Sequence, residues 1–445
     1  MNNVETFSSL TKEKKEAAML LSIGTFLEYF DLMLYVHMAV FLNELFFPKS
    51  DPYTSALISA FAFCSTYALR PFGALLFGYI GDNIGRKITV ILTTLLMAFS
   101  CFIMAIIPTY AQIGIASAWI ITLCRALQGI TSMGEAMGAQ LYLIETLKPP
   151  IRYPATAFVT FCSVVGTIVA LFTAFMVTSF NLNWRFAFIL GCVIASVGVA
   201  ARTGLRETTD FIDAKRRIKK ITEKSEVDPN LLKHSIVWQQ KTNIKNLVAL
   251  FLIQLVWPVC SYFVFIYCGN ILRTSFGYSA AQIIRENLYI SIVNLFVIIF
   301  LSICSYKIYP LKIVKKWLIP LFYILILAIP FWMQHYNTAF DLFLIRLLII
   351  VLHPVDYLVS PISYVHIPVF KRFTSVSLAF AISHSLGYVI SSFAMVYLIK
   401  IFNYWGLVIM LFPIVTGFTW AVSHFEKLEQ AALSANTPHN QSQAL

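Results

Sequence analysis

Two acidic residues, Glu28 and Asp31, lie inside the apolar stretch GTFLEYFDLMLYV at positions 24–36. The surrounding apolar run is long enough to cross a lipid bilayer as a helix. A carboxylate at mid-membrane costs about 2.5–3.5 kcal/mol on insertion scales, so such residues mark functional sites by default. The spacing of three residues puts both carboxylates on one face of a helix. We therefore expect that face to point away from lipid.

Other ionisable residues also interrupt apolar segments, and these are Arg70, Arg125, Glu135, His353 and Asp356. His353 and Asp356 repeat the spacing of three residues, which again predicts one shared helix face. Arg125 is a suitable counter-ion for the two acids near the N-terminus, and it could also hold a substrate carboxylate. A simpler alternative remains open, in which these acids pair with Arg70 or Arg125 only to join helices.

Proton coupling needs an acid that binds and releases a proton as its surroundings change. The candidates are Asp31, Glu28 and Glu135, and Asp31 is favoured over Glu28 because it lies deeper in its apolar segment. Glu135 is equally compatible with helix packing and with a proton exit route.

The substrate-binding candidates combine charged and aromatic side chains within apolar segments, and they are Arg125, Arg70, Tyr262, Trp257, His353 and Asp356. Trp257, Tyr262 and Tyr267 could enclose a quaternary ammonium group through cation–π contacts, although lipid-facing packing is the plainer interpretation. His353 precedes Pro354, so it could instead be a packed residue at a helix break. Arg346 is predicted to extend its charge towards the membrane surface.

The elements that carry these residues are membrane spans. Apolar residues make up 59% of the 445, mean hydropathy is +0.76 and charged residues are only 12%, whereas soluble domains are about a quarter charged. This composition predicts an all-α polytopic membrane protein. Twelve apolar segments of spanning length are predicted, near 17–40, 53–80, 88–107, 112–144, 155–180, 184–202, 247–272, 283–304, 313–333, 339–366, 374–400 and 404–424.

One long polar segment divides the chain into two groups of six spans. Most of the 33 Lys and Arg residues fall on the side shared by this segment and both termini, which the positive-inside rule places in the cytoplasm. The opposite side holds only Lys49, Arg185, Arg273, Arg285 and Lys400. The predicted order is a cytoplasmic N-terminal segment (1–16), a six-helix bundle (17–204) and a cytoplasmic loop (205–245). A second six-helix bundle (246–425) and a disordered cytoplasmic tail (426–445) follow.

Several classes of protein are disfavoured. The net charge of +12 is explained by the cytoplasmic loops, so we expect no nucleic-acid partner. The eight cysteines include no Cys-x-x-Cys pair and the histidines show no ligand spacing, so we expect no metal and no cofactor. No nucleophile elbow, phosphate loop or HExxH helix is present, so we do not expect an enzyme.

The segment RPFGALLFGYIGDNIGRK at 70–87 contains a regular series of small and charged residues, namely Gly78, Gly81, Asp82, Gly85 and Arg86. The glycines allow close helix approach and a tight turn, and Asp82 and Arg86 could form an ion pair at the cytoplasmic mouth. This segment resembles the Gly-x-x-x-Asp-x-x-Gly-Arg-[RK] loop of the major facilitator superfamily. The segment RALQGITSMGE at 125–135 resembles that superfamily's Arg-x-x-Gln-Gly element.

A narrower resemblance points to the metabolite:proton symporter branch, which includes proline/betaine, α-ketoglutarate, citrate and shikimate carriers. It rests on EYFD at 28–31, RPFG at 70–73, GITSMGEAMGA at 129–139, LRETTDF at 205–211 and IPVFKRFTS at 367–375.

The second half departs from the superfamily pattern where the mouth loop should recur. There the chain reads SICSYKIYPLK at 302–312. Tyr306 stands at the acid position, Tyr309 at the third glycine position and Pro310 at the arginine position. We expect the acid–base pair of the first half to have no equivalent here.

The resemblance implies two six-helix halves of inverted repeats that close alternately over a site near mid-bilayer. It implies that spans one, four, seven and ten line the cavity, so that the acids of span one face a water-filled path. The implied protein is a monomeric multi-pass carrier of the bacterial cytoplasmic (inner) membrane. It would import a proline- or betaine-type osmolyte or a small carboxylate together with protons. An exporter or uncoupled facilitator remains an alternative, as does a non-transporting sensor.

Overall fold

The computed structural model describes residues 12–47, 66–180, 182–202, 242–335 and 337–435, and regular structure in these residues is helical throughout. Twelve helical spans follow one another along this part of the chain. They are α1 Lys12–Phe46, α2 Arg70–Asn83, α3 Arg86–Ile106, α4 Ile115–Thr146, α5 Arg152–Ser179, α6 Arg185–Arg202, α7 Ile244–Phe276, α8 Ala280–Lys307, α9 Pro310–His335, α10 Ala339–Leu352, α11 Val369–Phe402 and α12 Trp405–Ala435.

These helices confirm the predicted all-α polytopic fold. By length and hydropathy alone, eight helices of the described residues could cross a membrane. The predicted second span begins before residue 66, and the long central loop lies mostly at 203–241, so both fall partly outside the described residues.

Each half packs around its own first helix, and a few helix pairs join the halves. In the first half α1 contacts α4, α5 and α6, and in the second half α7 contacts α11 and α12. The most extensive contacts between halves are made by α2 with α11 and by α5 with α8. Movement of one half against the other must therefore alter these two helix pairs.

Regular α-helix is interrupted at three places in the described part of the second half. Two are π-helical segments, Tyr262–Tyr267 within α7 and Val314–Leu318 within α9. The third is in span ten, which stops being helical after Leu352, and helix resumes only at Ser360–Ser363. Pro354 explains the break in span ten, because proline lacks an N–H and disfavours helical geometry at the preceding residue. His353 accordingly has φ −58° and ψ 143°.

The C-terminal end is ordered further than the sequence predicted. Helix α12 continues to Ala435, although a disordered tail was expected from residue 426. Lys315 forms an ion pair with Glu426, and His366 lies 3.2 Å from Glu429. These contacts give the last helical turns partners within the second half, which a purely compositional prediction could not foresee. Residues 436–445 lie outside the described residues.

Candidate functional site

A cavity of about 1280 Å³ lies between the two halves. Its wall is formed by α1, α4, α5, α7, α8 and α11, by residues of the broken span ten and by Tyr67. The side chains that could contact a polar ligand include Tyr29, His37, Tyr67, Gln140, Ser163, Trp257, Ser261, Asn287, Ser291, Asn294, His353, Asp356, His384 and Tyr388. The wall thus combines aromatic rings, amides and hydroxyls with one carboxylate, and Arg273 contributes a guanidinium.

The end of the cavity that the sequence predicts to face the cytoplasm is closed by Asp82 at the end of α2. Its carboxylate accepts hydrogen bonds from the backbone N–H groups of Phe373 (3.2 Å) and Thr374 (2.9 Å), near the start of α11. The Thr374 hydroxyl donates a third hydrogen bond at 2.7 Å. Gly78 makes this approach possible, because a Cβ there would lie 2.8 Å from the Thr374 Cα. Gly81 similarly abuts the Phe373 ring.

An ion pair strengthens the same closure. The Arg372 Nη1 lies 3.2 Å from the Glu145 Oε1, and both side chains are buried. Glu145 lies at the end of α4, so this pair again connects the first half to the second. The Arg372 Nε also donates to the carbonyl oxygen of Ile367 at 3.1 Å, which fixes the guanidinium in place.

The opposite end of the cavity remains open. The lining extends to residues at or beyond the outer ends of α5 and α7, including Ser179, Leu182, Arg273 and Tyr278. The closed end carries the basic loops that the sequence predicts to be cytoplasmic, so on that prediction the cavity opens to the outside.

Asp356 and His353 both line the cavity, in the non-helical part of span ten. The His353 ring lies 5.2 Å from the Trp257 ring of α7, centroid to centroid. The Gln254 amide, one turn before Trp257, interacts with the Asp356 carboxylate. Three substrate-binding candidates from the sequence, Trp257, His353 and Asp356, are therefore brought together on one wall.

Asp31 and Arg125 lie elsewhere, which corrects the expectation that Asp31 faces a water-filled path. Neither is among the described residues that line the cavity, and their exposed fractions are only 2% and 1%. Asp31 interacts with the Cys101 thiol of α3 and, at longer range, with Arg125. Arg125 donates to Gln128 at 2.9 Å, and its guanidinium stacks over the Tyr35 ring at 4.2 Å.

The rotation of α1 accounts for this placement. A Cβ at Gly191 of α6 would lie 2.8 Å from the Asp31 Oδ1, so α6 closes directly over the carboxylate. Asp31 therefore points into the first half, between α1, α3 and α6, while Tyr29 and Met33 of the same helix face the cavity.

Glu28 and Arg70 are buried at the edge of the cavity but are not among its lining residues. The Arg70 guanidinium lies 4.5 Å from the centre of the Tyr67 ring. Glu28, Arg70 and Asp356 all act electrostatically on the Tyr29 hydroxyl, which places these charges around one cavity-lining residue.

Two other expectations are corrected. Tyr262 is buried and does not line the cavity; the lining face of α7 passes through Ser261 and Phe265 instead, where the π-helical segment begins. Arg346 does not extend to the membrane surface. It is fully buried, donates to the Val264 carbonyl oxygen at 2.8 Å, and forms an ion pair with Glu286 at 2.8 Å.

Some candidates cannot be placed in the site. The backbones of Glu135 and Arg86 lie in α4 and at the start of α3, but their side chains fall outside the described part of the chain. Gly85 adopts φ 148° immediately before α3, a conformation that favours glycine.

Sequence reasoning missed the Glu145–Arg372 pair and the cavity-lining Tyr29, Gln140 and Asn294. Gln254 was missed as well. The signal that could have found it is a polar side chain in an apolar helix, one turn before Trp257. Residues 145 and 372 are too far apart in sequence for any local pattern to pair them.

Comparisons with known proteins agree with this architecture. Residues 21–368 match the Major Facilitator Superfamily. The inner membrane metabolite transport protein YhjE of Escherichia coli is 32% identical over 208 residues, which cover 44% of this chain and 47% of that protein. The proline/betaine transporter of Salmonella typhimurium is 29% identical over 197 residues, which cover 43% of this chain and 39% of that protein. The chain thus matches about half or less of the length of these curated relatives.

A solved structure resembles the whole fold. The proton:xylose symporter XylE has a TM-score of 0.72 at 15% sequence identity, covering 92% of this chain and 95% of that chain. At this level of identity the likeness shows the fold alone.

Proposed function

Because this chain belongs to the Major Facilitator Superfamily, whose members are transporters and not enzymes, we propose that it imports a small polar metabolite by proton symport. Transport proceeds by alternating access in the inner membrane of a bacterium, with the protein acting as a monomer. The substrate is a proline- or betaine-type osmolyte or a small carboxylate.

The observation that carries this proposal is the cavity between the halves, open at one end and closed at the other by contacts between the halves. Asp82 and Arg372 both lie at the closed end. Breaking their contacts while forming new ones at the open end would expose the same cavity to the cytoplasm, as alternating access requires.

Asp31 is the acid that we assign to proton coupling. Its Oδ2 has no hydrogen-bond partner in the described residues, although the carboxylate is buried within the first half. An acid in such an environment favours the protonated form, and a closer approach of Arg125 would favour the charged form. Relative movement of α1 and α4 during transport would therefore bind and release a proton.

Uptake into membrane vesicles tests the proposed function. We expect concentrative uptake of at least one compound among proline, glycine betaine, α-ketoglutarate, citrate and shikimate, and its collapse with a protonophore. Uptake that equilibrates without accumulating would favour an uncoupled facilitator, and accumulation in inside-out vesicles alone would favour an exporter. Binding without counterflow would favour a sensor.

The Asp31→Asn variant tests the coupling assignment. Asparagine keeps the shape of the side chain but cannot titrate, so accumulation should vanish while counterflow of the transported compound survives. Asp341→Asn is the matched control. Asp341 caps the outer end of α10 through Thr338, so this variant should accumulate substrate normally. Normal accumulation by Asp31→Asn would remove Asp31 from the coupling mechanism.

A further inference from the structure

Asp356 is the carboxylate of the cavity wall, and it lies in the one part of span ten that is not helical. Its own carbonyl oxygen accepts the backbone N–H groups of Val359 and Ser360, both at 2.8 Å. Those bonds anchor the backbone of Asp356 to the following helical turn. The side chain is thereby held at the cavity instead of being carried round by a continuous helix.

The neighbours that act on the Asp356 carboxylate are neutral polar groups. The Gln254 amide and the backbone N–H of Tyr357 interact favourably with its charged form, and Gln254 is held in place by the 3.0 Å hydrogen bond that it donates to the Tyr364 hydroxyl. Neutral dipoles of this kind stabilise a charged carboxylate without neutralising it.

Asp356 forms no ion pair within the described residues, unlike Glu145, Glu286, Glu426 and Glu429. A partly buried charge without a counter-ion is costly. A positively charged group in the cavity would therefore gain from pairing with an acid that has no ionic partner among the described residues.

Aromatic rings surround the same part of the cavity. Trp257 packs against His353, three residues from Asp356, and the Tyr29 hydroxyl lies within electrostatic range of Asp356. Aromatic faces attract ammonium groups, and substituted ammonium groups above all, because methyl groups also gain apolar contact. A carboxylate beside aromatic rings fits this class of ligand.

We propose that Asp356, with Trp257 beside it, binds the positively charged ammonium group of the transported substrate. The substrate is therefore a zwitterion or a cation, and di- and tricarboxylates are disfavoured because Asp356 repels them. This inference rests on the proposed transport function and narrows it to one of the two substrate classes.

Ligand binding to the purified full-length protein tests this inference. Thermal unfolding would be followed with glycine betaine, L-proline and L-carnitine, and with citrate, α-ketoglutarate and 3,3-dimethylbutanoate. The last compound replaces the ammonium nitrogen of glycine betaine by carbon, so it has nearly the same shape without the positive charge. A true ligand raises the unfolding temperature by mass action.

We expect at least one ammonium compound to stabilise the protein and 3,3-dimethylbutanoate to have no effect. Asp356→Asn should weaken that binding by about tenfold or more, as expected when a charged hydrogen-bond acceptor is neutralised. Asp356→Glu should bind more tightly than Asp356→Asn, and Asp341→Asn should bind like the parent protein.

Stabilisation by citrate or α-ketoglutarate without any effect of the ammonium compounds would overturn the inference, as would unchanged binding in Asp356→Asn. The inference also fails if no ammonium compound binds. Failure of the transport function looks different: ammonium compounds would then bind through Asp356 while vesicles show no concentrative uptake of them.

Discussion

The mouth that is predicted to face the cytoplasm differs sharply between the two halves of the molecule. In the first half, Asp82 accepts three hydrogen bonds from Phe373 and Thr374 across the interface. In the second half, Tyr306 occupies the corresponding position in the sequence and is 40% exposed. Tyr309 packs its ring 6.3 Å from that of Tyr153 at the start of α5. One mouth is closed by a charge and the other by aromatic packing.

The polar contacts of the second mouth join residues of the second half to one another. Lys315–Glu426 and His366–Glu429 both join elements of the second half to its own last helix. The contacts of Asp82 and the Glu145–Arg372 pair, by contrast, cross between the halves with a charged group at this end. The free energy that closes the cytoplasmic gate should therefore come mainly from the first mouth loop and from this pair.

The largest effect is expected from Asp82→Asn. The asparagine side chain has one acceptor oxygen where the aspartate has two. Its NH₂ group is a donor, so it cannot bond to the donors of Phe373 or Thr374. Losing hydrogen bonds to a charged group costs about 1.5–3 kcal/mol, which shifts the equilibrium towards the inward-facing state by about 10- to 100-fold. Turnover should fall accordingly.

The shift can be measured from the cytoplasmic side. Gln140 lines the cavity on α4, so a Gln140→Cys background reports whether an impermeant thiol reagent enters inside-out vesicles. Labelling should be faster in Asp82→Asn than in the parent, while Asn83→Ala, at the neighbouring exposed position, should label like the parent. Equal labelling rates in all three proteins would contradict the assignment of Asp82 to gate closure.

A smaller effect is expected from Glu145→Gln. Glutamine can still accept from Arg372, and Arg372 keeps its bond to the Ile367 carbonyl oxygen. The loss is then roughly the difference between a charged and a neutral hydrogen bond, about 1 kcal/mol. In the Gln140→Cys background, the increase in labelling rate caused by Glu145→Gln should be several-fold smaller than the increase caused by Asp82→Asn. Glu426→Gln is the control, because its ion pair lies within the second half, and a larger effect there would reverse the comparison.

The smallest effect is expected from Tyr306→Phe. The side chain is partly exposed, and removal of one exposed hydroxyl changes stability by about 0.5 kcal/mol at most. Uptake and labelling rates should match the parent. If Tyr306→Phe impaired transport as severely as Asp82→Asn, the two mouths would be functionally equivalent and the comparison would be wrong.

Two pairs of residues with the same spacing show how far the sequence could predict the site. Glu28–Asp31 and His353–Asp356 both lie three residues apart in apolar segments. The structure places the second pair on the cavity wall, but in a non-helical segment, so the helix face predicted for His353 and Asp356 is wrong. Asp31 lies on a helix but points between α3 and α6. Spacing thus predicts a shared face only where the helix continues, and the direction of that face depends on the rotation of the whole helix.

The sequence by itself determined the twelve spans, their division into two halves and the mouth loop with Asp82. These follow from hydropathy, from the distribution of basic residues and from local glycine and acid positions, all of which act over a few helical turns. Tertiary structure alone decided the Glu145–Arg372 pair, the burial of Arg346, the position of Asp31 behind α1 and the closure of the cavity at one end. Each of these depends on how helices distant in sequence rotate and approach one another, and that packing is fixed by many weak contacts at once.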